Sequence, residues 1–284
     1  MTREIKADSP HIIKSTSFDE KHTLEFNEKT HRYKLDGQSC PSVTTMLKAG
    51  YPTSMGIINW FKRQTSIALY DTLSTLRFGE AWPTTEEEKK EIFKKAESAH
   101  EGVAQEAADI GTVVHGFSEL WSQGKTNEAD ALLDKVRGVE KWPLISNCIS
   151  QFLDWYSKNK GELVSVEALV ASPTHLFAGK FDRLDRVNGK LRLRDYKTSK
   201  AIFLDMFIQL GTYKLGFQEW SNLNIEELEI IRFGKEDGAF ETLLITDPKE
   251  IQMFVDQGIR CRQTVAFMKM NDDERFDWRS RGKA

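Results

Sequence analysis

Residues 174–197 read THLFAGKFDRLDRVNGKLRLRDYK. Two stretches of alternating apolar and polar positions flank Asn188-Gly189, a dipeptide that favours the two-residue type I′ turn because both central residues take positive φ. The turn sets the register of a β-hairpin: Val187 faces Lys190, Leu184 faces Leu193, and the same constant sum places Asp182 opposite Asp195, with Cβ atoms about 5 Å apart on one face. Like charges so placed destabilise the pair unless something neutralises them, and a divalent cation held by both carboxylates does so. Period-two alternation adds Lys197, two residues beyond Asp195, to the same face. Two surface aspartates in chance register, screened by the lysine, account for the same residues, and a bulge would shift the pairing.

Around this hairpin the pattern changes between strand and helix. LVSVEALVAS (163–172) supplies a strand before it, and residues 203–220 follow with helical period. LEIIRFG and AFETLLIT, joined around KEDG, form a later hairpin, and Asp247-Pro248 opens a last helix through Ala266. Upstream, a helix over 148–159 stops before Gly161, and a long helix over 86–121, with a break expected near Gly102 or Gly111, follows a charged turn around WPTTEEEKK. Another helix covers 54–78; its Trp60, Phe61, Ile67, Leu69 and Leu73 read as a core-facing stripe, or, set beside Lys62 and Arg63, as a strand-binding groove. LEFNEKTHRYKLDGQS is a hairpin, Ser42 N-caps a helix that Gly50 closes, and residues 1–20 lack periodicity and are expected to form a loose arm before a single domain.

The 284-residue chain is long enough for a full core, and with 39% hydrophobic and 29% charged residues it has the composition of a globular protein. Its apolar runs fall short of a membrane span and its first residues lack a signal-peptide core, so a cytoplasmic protein is expected. Cys40, Cys148 and Cys261 form no CxxC pair, and three thiols cannot hold a four-cysteine iron–sulfur cluster in a monomer. Forty basic against 43 acidic side chains exclude a protein that coats nucleic acid, so any nucleic-acid contact must be local. Residues 180–200, with eight Lys/Arg against three Asp, offer such a place, as would a solvated basic hairpin.

His115 and Glu119 stand four apart on a helical face, as do Gln209 and Tyr213; each pair alone is compatible with an ordinary surface contact. Taken in chain order, GTVVHGFSE, GKFD, DYK and QLGTY resemble the GxxxxHxxxE, GxxD, DxK and QxxxY series of the RecB-type branch of the PD-(D/E)XK nucleases. The opener YKLDGQSCPSVTTMLK is similar to that of mitochondrial genome maintenance exonucleases and related phage nucleases. The resemblance implies an α/β fold, a restriction-endonuclease-like mixed β-sheet core flanked by helices, with residues 54–120 as a helical arch and 162–220 as the catalytic core. It implies metal ligation by His115, Asp182, Asp195 and the Tyr196 carbonyl, and assistance to the attacking water by Lys197. Glu119 and Glu167 would stand nearby, although for Glu167 an exposed strand glutamate is the commoner reading. Gln209, Tyr213, Ser42, Thr44, Lys180 and Thr198 would contact DNA; for Ser42 a plain N-cap is the ordinary reading. The implied cofactor is one or two Mg²⁺ or Mn²⁺ ions, and the implied substrate is single-stranded DNA or DNA ends, digested from a free end in replication, repair, recombination or phage DNA processing. An endonuclease on the same fold and a catalytically silent nucleic-acid-binding module are the alternatives.

Overall fold

In a computed structural model of the chain, residues 4–6, 11–52, 55–75, 85–159, 161–236 and 238–271 are described. In order they form β1 (Glu4–Lys6), β2 (Ile12–Thr16), β3 (Thr23–Asn27), β4 (Arg32–Leu35), β5 (Gln38–Cys40), α1 (Val43–Gly50), α2 (Met55–Thr75), α3 (Glu86–Ser122) and α4 (Thr126–Asp134). There follow α5 (Trp142–Lys158), β6 (Glu162–Ser172), β7 (Phe177–Val187), β8 (Lys190–Lys197), α6 (Leu204–Ser221), β9 (Glu227–Phe233), β10 (Phe240–Ile245) and α7 (Pro248–Asn271). The chain divides into two compact units: Met1–Tyr51 with Val114–Ala284, and Pro52–Val113.

The larger unit is built on the predicted hairpin. Asn188 and Gly189 adopt φ of 52° and 83°, and β7 pairs with β8 from Val187↔Lys190 to Arg183↔Arg194 in the register that turn dictates. β6 adds antiparallel to β7, and α6 carries the chain over so that β9 pairs parallel to β8, with β10 antiparallel on β9. The result is a mixed sheet in the order β10-β9-β8-β7-β6, and the five strands β1 to β5 form a second, antiparallel sheet.

On one face, Leu184, Leu191, Leu193, Leu228 and Ile230 join α6, α7 and α1 in the main core. α1 is capped as expected, Ser42 Oγ accepting from the Thr45 N–H at 3.0 Å. Gly50, however, does not end it in a left-handed cap, since the C-cap Tyr51 is extended; a Cβ on Gly50 would lie 2.5 Å from the Cys261 backbone, so the glycine serves the contact of α1 with α7.

The alternate residues of the hairpin meet α5. Tyr196 packs edge-on to Phe152 and Trp155, both with centroids 5.7 Å away. Arg183 and Arg194 lie under the Trp155 ring, and Arg183 donates to both oxygens of the wholly buried Asp185 at 2.9 Å. Arg194 also contacts Asp185 and donates to Glu229 at 2.6 Å, and Arg192 pairs with Glu227. These arginines are compensated inside the protein, which overturns their expected service as a local DNA-binding patch.

Other expectations change too. Within the supposed loose arm, β2 pairs with β3, and its Ser15 is buried because its hydroxyl accepts from Trp220 Nε1 at 2.9 Å; residues 1–3 and 7–10 of that arm lie outside the described residues. α3 runs unbroken through Gly102 and Gly111, α5 begins at Trp142, and α4 is additional to the expected helices. Ser54, residues 76–78 and the Trp82–Thr84 part of the charged turn lie outside the described residues. Within the smaller unit Phe61, Ile67 and Leu73 are exposed, contrary to a core-facing stripe, and Phe61 stacks at a tilt on His100 at 4.6 Å. No described helix is long and apolar enough to cross a membrane.

Candidate metal centre

The regular pairing of β7 fails at Asp182. Arg183 has partners in β6 and β8 and Phe181 has one in β6, while Asp182 has none in either ladder. Phe181 and Leu184, three residues apart, both enter the main core, so the period-two alternation slips between them. The Asp182 carboxylate, instead of a backbone group, takes the Tyr196 N–H at 2.8 Å. The expected Asp182–Asp195 pairing is therefore not a ladder pair: a local irregularity of the kind common near functional sites lies there.

Across from Asp182 on β6, between the paired residues Val166 and Ala168, stands Glu167 with φ of 50°, a left-handed conformation that costs a non-glycine residue on the order of 1–3 kcal/mol. α3 brings His115 Nδ1 to 3.3 Å from Asp182 Oδ2. One ligand atom each from His115, Glu167 and Asp182 lies within 4.8 Å of the others. Asp195 is outside this triad and forms an ion pair with Lys197. Lys180, expected at DNA, pairs with Glu167 at 2.5 Å.

The electrostatics follow from two carboxylates confined together. Burial and the Asp182 charge push the Glu167 carboxyl up to about 7 despite the Lys180 ammonium. Burial disfavours the His115 imidazolium, but the Asp182 charge and contact outweigh it and raise the histidine to about 9. Burial likewise opposes ionisation of Asp182, yet His115, Lys197 and the Tyr196 N–H together hold it below the usual range. Asp195 is pushed up to about 6 by burial, with Lys197 pulling down and Asp182 pushing further. Burial works against the Lys197 charge, and Asp195 and Asp182 more than restore it.

Behind Lys197 stands a chain of hydrogen bonds from α6. Lys197 Nζ donates to Gln209 Oε1 at 3.2 Å, and Gln209 Nε2 donates to Tyr213 Oη at 3.1 Å. An ammonium can only donate, so this contact fixes the amide orientation. Tyr213 fits because residue 179 has no side chain: a Cβ there would lie 2.5 Å from Tyr213 Cε1. The glycine of GKFD and the tyrosine of QLGTY thus meet in one contact.

The remaining expected residues are spread around this centre. Glu119 accepts from Gln123 at 3.1 Å and sits outside the triad. Ser42 and Thr44 are at the α1 N-terminus, the Ser42 hydroxyl engaged in capping. Thr198 is buried at the end of β8. Glu167 is the residue the alternation underrated; its place directly across from Asp182 follows from the constant β6–β7 register that runs from Ser172↔Phe177 to Ser165↔Leu184.

The donor set fits a divalent cation. Two carboxylates favour a hard ion, and a single imidazole favours Mn²⁺ over Mg²⁺ in affinity. The confined negative charge of Glu167 and Asp182 is what such an ion would neutralise.

Comparison with known proteins gives the family. Residues 89–281, well over half the chain, match the model of the PD-(D/E)XK nuclease superfamily. Among solved structures, SSO0001 is 13% identical, covering 72% of this chain and 85% of that one at a TM-score of 0.30. A suggested exonuclease from Eubacterium rectale is 12% identical, covering 55% and 67% at a TM-score of 0.36. No curated protein sequence matches significantly. With the mixed α/β architecture in place and the match spanning His115, the hairpin and α6, the chain belongs to the PD-(D/E)XK nuclease superfamily.

Proposed function

We propose that the chain is a metal-dependent exonuclease that hydrolyses phosphodiester bonds of single-stranded DNA from a free end. Membership of the family supports a hydrolytic nuclease, and the His115, Glu167 and Asp182 cluster supports dependence on a divalent metal. The observation that carries the site assignment is the convergence of His115, Glu167 and Asp182 within 4.8 Å beside the Asp195–Lys197 pair. His115, Asp182 and Asp195 would hold the ion together with the Tyr196 carbonyl, and Glu167, which lies in one cluster with His115 and Asp182, would add a further carboxylate. Bound there, Mg²⁺ or Mn²⁺ supplies Lewis acidity toward the phosphoryl oxygen and a more acidic water.

The protein groups have separate tasks. Lys197, held protonated by its carboxylate neighbours, places a positive charge where the attacked phosphorus gathers negative charge. Gln209 and Tyr213 keep that ammonium aimed. His115 must give up its proton to act as a ligand, so ion binding competes with the His115–Asp182 ion pair. The preference for single strands with ends is supported by the order and spacing of GTVVHGFSE, GKFD, DYK and QLGTY.

The test is digestion of end-labelled linear and covalently closed circular single-stranded DNA with Mg²⁺, Mn²⁺ or EDTA, with Asp182→Ala and Lys197→Ala alongside. Loss of the linear substrate alone, abolished by EDTA and by both substitutions, is the expected result. Cleavage of circles would make it an endonuclease, and no metal-dependent cleavage of any substrate would leave a silent binding module.

A further inference from the structure

Where β8 and β9 end side by side, a cavity of about 130 Å³ is lined by Thr198, Ser199, Lys200, Arg232, Lys235 and Glu236. Lys200, Arg232 and Lys235 bring three cations there against Glu236 in the lining and Glu241 paired with Arg232, and Thr198 and Ser199 bring hydroxyls. The location is informative. β8 and β9 are the parallel pair of the sheet, and ligands of open α/β sheets gather beyond the carboxyl ends of parallel strands. Arg232 is the direct partner of Lys197 in that register, and Thr198 follows Lys197 in the chain, so the cavity begins one residue beyond the proposed reaction centre.

The walls are held in place before any ligand arrives. Arg232 Nη1 donates to the Ser199 carbonyl at 3.1 Å, and its Nε donates to Glu241 at 2.8 Å. The turn carrying Lys235 is tied to α5: Asn147 Nδ2 donates to the Lys235 carbonyl at 3.0 Å, and Gln151 both donates to and accepts from Gly234, at 2.9 and 3.1 Å. Lys200, four-fifths exposed, makes a loose 3.7 Å pair with Glu236 that a stronger anion can replace. A planar guanidinium, two ammonium groups and the Thr198 hydroxyl suit a tetrahedral oxyanion.

We propose that this cavity is a phosphate subsite of the substrate strand, in which Lys200, Arg232 and Lys235 hold a phosphate group next to the one being cleaved. The assignment rests on the nuclease reading of the neighbouring centre. The group is either an internal backbone diester or the monoester at a strand end, and the two are separated by experiment.

Binding of a tetrathymidylate carrying a 5′-phosphate, a 3′-phosphate or neither is measured calorimetrically in EDTA, so that no turnover occurs, for the wild type and for Lys200→Ala/Lys235→Ala. Circular dichroism checks that the double variant folds, and Thr198→Val provides a second, uncharged perturbation of the same cavity. The expected result is about a tenfold weakening in the double variant, with the slope of log K against log salt smaller by about one. A methylphosphonate tetranucleotide should lose nothing on substitution. Weakening of equal size for all three oligonucleotides assigns a backbone diester; weakening confined to one phosphorylated form assigns the terminal monoester. Unchanged affinity and salt slope in the double variant would overturn the subsite, and retained metal-dependent cleavage of long strands would then leave the nuclease reading standing. A wild type that neither binds nor cleaves would overturn both.

Discussion

Replacing Gly179 by alanine places a methyl carbon 2.5 Å from Tyr213 Cε1 and 3.1 Å from Val43 Cγ2. The first distance is shorter than any tolerable carbon contact, and Tyr213, only 5% exposed, has little room to withdraw. Overpacking of this kind costs about 1–3 kcal/mol, offset by up to about 1 kcal/mol from the stiffer unfolded chain. The net loss of about 1–2 kcal/mol corresponds to a fall in Tm of about 2–6 °C for a protein of this size. The same displacement pulls the Tyr213 hydroxyl from Gln209 and loosens the hold on Lys197, so turnover should fall more than substrate affinity. The decisive assay is urea unfolding of four proteins in EDTA: wild type, Gly179→Ala, Tyr213→Leu and the double variant. Leucine lacks the Cε1 edge, so the second substitution should relieve the first, and the double variant should be more stable than additivity predicts by about 1 kcal/mol. Strict additivity, or a Gly179→Ala protein with wild-type midpoint and turnover, would refute the close contact as the reason for glycine at this position.

Further outcomes follow from the charges. In EDTA, His115 is raised to about 9 against about 6.5 unfolded, so its contribution is fully present below the unfolded value and lost as pH rises through 9. Glu167, raised to about 7, likewise favours the folded state when protonated and loses that contribution as pH rises from about 4.5 through 7. Thermal melts should therefore decline from pH 5 to 9 more steeply in the wild type than in His115→Gln/Glu167→Gln, and added Mn²⁺ should flatten the wild-type slope; parallel curves would contradict the assignment. Lys197→Ala should lower the cleavage rate by about 10²–10³-fold while leaving oligonucleotide affinity in EDTA nearly intact, as read by single-turnover digestion and calorimetry. Asp185→Asn should cost about 3–5 kcal/mol in urea unfolding, because it strips a buried carboxylate from Arg183 and Arg194, yet leave Mn²⁺ affinity unchanged.

Much of this arrangement was legible in the sequence, for identifiable reasons. Asn188-Gly189 determines a register because its two consecutive positive φ angles close a two-residue type I′ loop, and the pairing from Arg183 to Val187 follows. Asp182 and Glu167 were both named from the motifs, but their juxtaposition was not, because alternation presumes a regular ladder, and at these two residues the ladder is interrupted and the Glu167 backbone left-handed. The arginines of KLRLRDYK look solvated in any one-dimensional reading; their partners Glu227 and Glu229 arrive from a strand more than thirty residues later, after a parallel crossover no local signal announces. β2 was missed for a similar reason. Ser15 reads as a surface residue, and its burial is compensated by a single bond from Trp220, 205 residues away.

β10 closes one side of the main sheet, and Phe240, Leu243 and Leu244 along it are exposed. An unpaired strand with apolar side chains is a template for a second chain to add to, and proteins commonly break such strips with charge. Glu241 is the only charged residue in FETLLI, and it is fastened to Arg232 across the ladder. The carboxylate that steadies a cationic cavity wall is therefore also the guard against self-association at this border. Relaxing it, by substitution or by acid, would be felt first as turbidity at high concentration rather than as lost activity.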